Sequence, residues 1–459
     1  MAKTQQAGFV CSECGWTTVR WVGRCGECQT WGSVGERGAP KLRDITSVVP
    51  TSKAVPIRQV AIEASDRRLT GIGELDRVLG GGLVPGVVVL LAGEPGVGKS
   101  TLLLEVASKW AGSGQRTLYV SGEESAAQVR LRAERTHALA DELFLAAETD
   151  LGTVLGHVEE VDPSLLVIDS VQTIATTEAD GSPGGVSQIR EVTGALVRTA
   201  KRRNMAVVLI GHVTKDGGIA GPRMLEHLVD VVLAFDGDRH SGFRMVRASK
   251  NRFGPADEVG CFEMAEAGIV EVADPSGLFT TGHDEPLAGT CVTVTMEGRR
   301  PLLAELQALV ASTSDQALAR RATHGVESSR VAMILAVLEK KAHLRQVARS
   351  DVYVSTVGGA RVTDPTADLA IAIAIASATH ERNYPQRVVA FGEVGLAGDL
   401  RRVPGLERRV GEAARLGFEL ALVPVNSRDT SQRLPRMNGL KVVEVSDLAQ
   451  ALAALDLRH

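Results

Sequence analysis

Gly93-Glu94-Pro95-Gly96-Val97-Gly98-Lys99-Ser100-Thr101 matches the phosphate-binding pattern G-x-x-x-x-G-K-[ST]. The apolar run Val87 to Leu91 before it and the helix-prone run Thr101 to Trp110 after it supply the strand, loop and helix that such a loop requires. Glycines at 93, 96 and 98 let the backbone curl so that successive N–H groups point at phosphate oxygens, at the positive end of the following helix. Lys99 is then expected to reach the β- and γ-phosphates of ATP, with the Ser100 hydroxyl on Mg²⁺. A glycine-rich turn matching by chance would not bring that strand and helix with it.

Around this loop, between about Arg67 and Asp274, apolar β-prone runs alternate with helical patterns, as in a mostly parallel sheet wrapped by helices. The spacing predicts strands at Val87 to Leu91, Thr117 to Ser121, Leu165 to Asp169, Ala206 to Gly211 and Val229 to Phe235. Ligands of such sheets gather at the carboxyl ends of strands, so the residues just after these runs are the chemical candidates. Asp169 closes four apolar residues and is placed to hold Mg²⁺ through water. Glu123, in Ser121-Gly122-Glu123-Glu124-Ser125, is placed to polarise the attacking water as general base; Glu123 and Glu124 would equally suit the first turn of a helix. His212 is a candidate γ-phosphate contact that relays its loss to the loop Thr214 to Gly221, or else a hydrogen-bonded histidine without a role.

Two long glycine-rich loops, Thr176 to Ser187 and Thr214 to Pro222, with Arg190, Lys215 and Arg223 nearby, are candidates for contact with a nucleic-acid backbone. In Lys250-Asn251-Arg252-Phe253-Gly254, two cations two residues apart on an extended segment face one side. Such a pair is either solvated surface or a finger inserted into a neighbour's site to neutralise transition-state charge.

The chain has 459 residues, room for two or three domains, and 44% apolar residues, enough for ordinary globular cores. Its net charge of −4 exerts no global pull on nucleic acid, so any such binding must come from local basic surfaces. No signal-peptide core is seen, and no apolar stretch approaches the roughly 18 residues of a membrane span, so a cytoplasmic protein without membrane contact is expected. Cys11-x-x-Cys14 and Cys25-x-x-Cys28, ten residues apart, offer four thiolates as two knuckles suited to a closed tetrahedral Zn²⁺ site. A redox pair is the alternative, without the βαβ surroundings it needs. A segment this short cannot fold on its own apolar surface. Trp16, Trp21 and Trp31 are expected to fill it, although stacking on bases beside Arg20 and Arg24 stays open. Cys261 and Cys291 read as buried small hydrophobes.

The four cysteines, the loop Gly93 to Thr101, Leu166 to Ser170 and Lys250-Asn251-Arg252-Phe253-Gly254 together resemble the bacterial RadA (Sms) family of DNA repair ATPases over essentially the whole chain. The resemblance implies a RecA-like P-loop ATPase core, hexameric rings, single-stranded DNA in a central channel and branch migration of recombination intermediates alongside a recombinase (RecA). It also implies that Lys250 and Arg252 act across the subunit boundary. The organisation expected is a zinc module at 1–35, a linker at 36–64, the ATPase core at 65–280 and a second α/β domain at 286–459.

In that last region helices are expected near Ser329 to His343 and Leu406 to Leu416. Thr366 to Thr379 is ambiguous, its Ala/Ile alternation imitating a strand and its alanine content favouring helix. Gly359 to Asp368 and Phe391 to Arg409 resemble the Lon protease domain, but Thr366 stands where the nucleophilic serine would be and Glu407 where the lysine would be. A carboxylate cannot do that lysine's work, so a ring scaffold or DNA platform is expected, with arginines such as Arg401 and Arg402 as basic surface. An ATP-dependent protease and a nucleotide-switched assembly protein are the alternatives to a DNA-dependent motor.

Overall fold

The computed structural model describes residues 8–36, 56, 58, 67–212, 225–237, 242–278, 280, 287–313, 319–359, 361–384, 387–425 and 439–457. The chain divides into two compact units, Met1–Glu63 and Ala64–His459.

In the first unit β1 (Phe9–Cys11), β2 (Thr17–Thr18) and β3 (Val34–Glu36) form an antiparallel sheet in the order β2-β1-β3. Pairing of β3 with β1 carries the module to Glu36, into the stretch expected to be linker. Its core is small: Cys11, Cys25 and Val34 are buried, with Phe9, Trp16 and Val22 packed against them. Trp16 fills this core as expected, but Trp21 and Trp31 do not, being 64% and 74% exposed. A core of this size has no room for two more indoles, and the Arg24 guanidinium lies over the Trp31 ring at 5.8 Å.

The second unit begins with α1 (Gly73–Leu79), β4 (Val88–Gly93), α2 (Lys99–Gly112) and β5 (Thr117–Ser121). α3 (Ala126–Arg135), β6 (Leu143–Ala147), α4 (Leu151–Val161), β7 (Leu165–Asp169), α5 (Val186–Arg203) and β8 (Ala206–His212) follow. β9 (Val231–Gly237), β10 (Phe243–Asn251), β11 (Val259–Ala265) and β12 (Gly268–Glu271) complete a sheet in the order β12-β11-β10-β9-β4-β8-β7-β5-β6. From β9 to β6 the pairing is parallel, and β10 to β12 are antiparallel. Both faces are covered, which is why β4 and β7 read as unbroken apolar runs: Val89 and Leu91 face α2, Val88 and Leu90 face α5. α3 starts after Glu123 and Glu124, with Ser125 and Gln128 forming a capping box, so neither carboxylate occupies the helical first turn.

The remaining chain builds a second sheet from β13 (Thr290–Glu297), β14 (Arg300–Ser312) and β15 (Arg321–His324), then α6 (Ser328–Lys340), β16 (Ser350–Thr356) and α7 (Asp368–His380). β17 (Val388–Ala390), the small hairpin β18 (Glu393–Val394) and β19 (Leu400–Arg401), α8 (Leu406–Arg415), β20 (Leu420–Pro424), β21 (Lys441–Val445) and α9 (Leu448–Ala454) finish it. The order is β15-β16-β14-β13-β17-β20-β21. The ambiguous Ala/Ile segment is the helix α7, in which every residue from Asp368 to Ser377 is buried. A helix apolar on all sides has no amphipathic period to reveal it.

The two sheets meet through charge. Arg300, at the start of β14, donates to the Glu74 carboxylate on α1 and to the carbonyls of Val259 (3.1 Å), Val272 (3.3 Å) and Ala273 (2.8 Å). Glu74 also accepts from the Cys261 amide at 2.8 Å, and both side chains of the pair are almost fully buried. Gly298, in the turn before Arg300, has φ +59°, and a Cβ there would lie 2.0 Å from the Asp257 carbonyl oxygen. Cys261 and Cys291 are buried free thiols, both pushed up to about 12 by burial. Removing one partner of a buried pair leaves the other charge uncompensated, so Arg300→Ala is expected to cost about 3 kcal/mol or more in urea unfolding. A loss below about 1 kcal/mol would show that the junction does not depend on this pair.

Candidate nucleotide-hydrolysis site and zinc centre

The loop after β4 reaches α2 through Gly96 (φ +81°) and Gly98 (φ +111°), conformations that a side chain would strain. Lys99 opens α2 and is 3% exposed. Its ammonium donates to the carbonyls of Gly93 (2.9 Å) and Glu94 (2.8 Å), inside the curl of the loop. Burial lowers its pKa to about 8, against the opposing pull of Asp169 and Glu123.

Parallel register sets the rest of the site. Gly93 pairs with His212 and Ser121 with Asp169, so β4, β8, β5 and β7 end together. Asp169 is 4% exposed, and its Oδ2 accepts from the Tyr119 hydroxyl at 2.6 Å. The Glu123 carboxylate accepts from the Ser170 hydroxyl and lies 2.9 Å from His212 Nε2. Burial alone would raise the Glu123 pKa, but Ser170, His212 and Lys99 together hold it below its ordinary value. Glu123 is therefore a charged acceptor fixed from two sides. Glu124 instead pairs with Arg132 of α3. Of the residues expected at the site, Lys99, Glu123, Asp169 and His212 converge. Tyr119 and Ser170 complete the cluster; sequence reading passed over both, although their positions in strand ends beside Ser121 and Asp169 were the available signal.

For Mg²⁺ the donors are the hard oxygens it requires: the Ser100 hydroxyl and the Asp169 carboxylate, whose Oδ1 carries no hydrogen bond among the described residues. The loop after His212, with Lys215 and Arg223, lies outside the described residues. The other glycine-rich loop, 176–187, is tied down by Gln188, which is buried, accepts from the Thr176 amide (2.9 Å) and donates to the carbonyls of Thr176 (3.0 Å) and Ala179 (2.5 Å). Arg190 is exposed one turn further on.

Lys250 and Arg252 are elsewhere. β10 runs antiparallel to β9 with Asn251 opposite Val231, whereas the phosphate loop follows Gly93, opposite Phe235. About 13 Å of strand separates the two ends at about 3.3 Å per residue. Lys250 donates to the carbonyls of Glu226 and Val229 (2.8 Å), and Arg252 pairs with the buried Asp230 at 3.1 Å, as Lys201 does at 2.6 Å. The two cations thus converge on one segment, 226–230, at the amino ends of the parallel strands.

In the second sheet Thr366 is 3% exposed, its amide donating to Asp364 Oδ1 at 3.0 Å, while Glu407 lies exposed in the first turn of α8. Arg409, not Glu407, turns inward, pairing with Asp364 at 2.7 Å.

The Sγ atoms of Cys11, Cys14, Cys25 and Cys28 all lie within 4.8 Å of one another, with Cys11 to Cys28 at 3.7 Å and Cys14 to Cys25 at 3.5 Å. A tetrahedron with Zn–S near 2.3 Å has edges of about 3.8 Å, so the four sulfurs fit zinc. Ser33 Oγ lies 3.2 Å from Cys11 Sγ, a second-layer contact that orients the ligand.

Residues 57–218 match the family described as AAA domain, residues 9–36 the rubredoxin metal binding domain and residues 322–427 subunit ChlI of Mg-chelatase. Fold and site together define a P-loop ATPase with a RecA-like core, a four-cysteine ribbon before it and an α/β domain after it. The DNA repair protein RadA of Mycolicibacterium smegmatis is 55% identical over 457 residues, covering 97% of this chain and 96% of that protein. The DNA repair protein RadA of Mycobacterium tuberculosis (strain H37Rv) is 57% identical, covering 91% and 87%, and that of Listeria monocytogenes 43%, covering 98% and 99%. The chain belongs to the RadA family.

Metal analysis of the purified protein is expected to find about one zinc per chain, lost in Cys11→Ser. Stoichiometric zinc retained by Cys11→Ser would refute the four-thiolate centre.

Proposed function

We propose that the protein is a DNA-dependent ATP hydrolase that works as a cytoplasmic ring, a homohexamer moving along single-stranded DNA to process branched recombination intermediates beside a recombinase. The observation that carries this reading is the separation of the charges. The cluster of Lys99, Glu123 and Asp169 lies at one end of the parallel strands, while Lys250 and Arg252 lie at the other, out of reach of their own phosphate loop. A finger so placed serves a neighbour's nucleotide, which requires a closed or helical array of like subunits. Membership of a family whose members are named DNA repair proteins supports DNA as the track.

Within one subunit the division of labour follows from the geometry. Lys99 exchanges its two carbonyl contacts for β- and γ-phosphate oxygens, and the N–H groups of Glu94 and residues 96–100 donate to the remaining oxygens. Mg²⁺, held through Ser100 and Asp169, would neutralise charge on the transferred phosphoryl. Glu123, kept ionised and aimed by Ser170 and His212, takes the proton of the attacking water. His212 contacts Glu123 and directly precedes residues 213–224 in the chain, and so is suited to transmit γ-phosphate loss to that segment. A proteolytic role has no support in the second sheet, where Thr366 is buried and the inward cation is paired with Asp364.

ATP turnover is expected to rise with single-stranded oligonucleotide and to vanish in Lys99→Ala; turnover indifferent to DNA at several salt concentrations would refute the motor. Lys250→Ala and Arg252→Ala are expected to bind nucleotide but hydrolyse it at least about 10³-fold more slowly, the range for a lost finger. Mixing either with Lys99→Ala subunits should restore part of the turnover, and strictly additive rates would exclude action in trans.

A further inference from the structure

Tyr119 lies two residues before the end of β5 and is 0% exposed. With Ser121 paired to Asp169 and Tyr119 to Val167, its ring shares the α2-facing side of the sheet with Leu165, Val167 and the Asp169 carboxylate. Its neighbours in that layer include Leu104, Val129 and Ala133, so a phenylalanine would fill the same space. Among the described residues the hydroxyl has one hydrogen-bond partner, Asp169 Oδ2, to which it donates at 2.6 Å. Packing therefore accounts for the ring and leaves the hydroxyl to be explained by what it does to Asp169.

We infer that Tyr119 is a positioning residue for the metal half of the site, its phenol pinning Oδ2 of Asp169 so that Oδ1 faces the divalent cation that accompanies the nucleotide. A carboxylate at a strand end has a broad torsion at its last bond, and both oxygens are equivalent until a donor distinguishes them. The phenol makes that distinction from a fully buried position, and it leaves the other oxygen oriented before any cation arrives. Such outer partners of a ligand carry about 10- to 100-fold in metal affinity. The inference rests on the ATP-hydrolase reading above and adds to it a residue that touches neither nucleotide nor water.

The test is Tyr119→Phe in the full chain, with affinity for a fluorescent ATP analogue measured in EDTA and across a Mg²⁺ titration, beside thermal unfolding without ligand. The expected result is an unchanged affinity in EDTA, an unchanged unfolding midpoint, and about a 10-fold higher Mg²⁺ concentration at half-effect, with ATP turnover recovering at high Mg²⁺. An unchanged Mg²⁺ half-effect would overturn the inference, as would a loss that appears equally in EDTA or follows a lowered midpoint. A wild-type protein that binds no nucleotide in either condition would sink the nucleotide site itself, a separate outcome.

Discussion

Parallel strand pairing in register is the constraint on which this molecule depends. Because β4, β8, β7 and β5 all run one way and end within a residue or two of one another, whatever follows each strand is delivered to a single edge. Lys99, Glu123, Asp169 and His212 come from four separate segments spread over more than 100 residues, yet no loop has to fold back to assemble them. The antiparallel turn from β9 into β10 sends Lys250 and Arg252 to the opposite edge by the same rule. The protein thus gathers its phosphate-loop lysine and its carboxylates at one end of the parallel strands and the Lys250–Arg252 pair at the other.

Charge is managed differently at each place where it is buried. At the nucleotide edge burial presses Lys99 down and Glu123 up; Asp169 and Glu123 oppose it at Lys99, and Ser170, His212 and Lys99 oppose it at Glu123. At the junction of the two sheets, Arg300 satisfies its donors with three carbonyls and Glu74, so a charged residue acts as a rivet through an apolar layer. At the far edge Asp230 gathers Arg252 and Lys201, and also accepts the Val88 amide. Arg252 is thereby kept beside the start of β4, the strand that leads into the phosphate loop.

The legible part of the chain was the part with strong local signals. The phosphate loop, the five parallel strands and the cysteine knuckles announce themselves by spacing, and Thr117–Ser121 and Leu165–Asp169 fall where their apolar runs predict. β6, β11 and β12 were not foreseen, since strands at the sheet margin have half-exposed faces and mixed composition; Leu143–Ala147 is only partly buried. Trp21 and Trp31 misled because burial is a property of the available volume, which a core of Cys11, Cys25 and Val34 does not provide. Tyr119 and Ser170 escaped because their role is a contact across strands, and only register reveals it.

The helix α7 has a consequence for how the chain is made. Its faces are covered on one side by β13 and β14, already synthesised, and on others by β17, β18 and α9, which are translated after it. Until α9 leaves the ribosome, a rod of alternating alanine and isoleucine stands with a wet flank, the kind of surface that chaperones bind and that aggregates when concentrated. Docking of α9 (Leu448–Ala454) is therefore what closes that flank of the nascent domain.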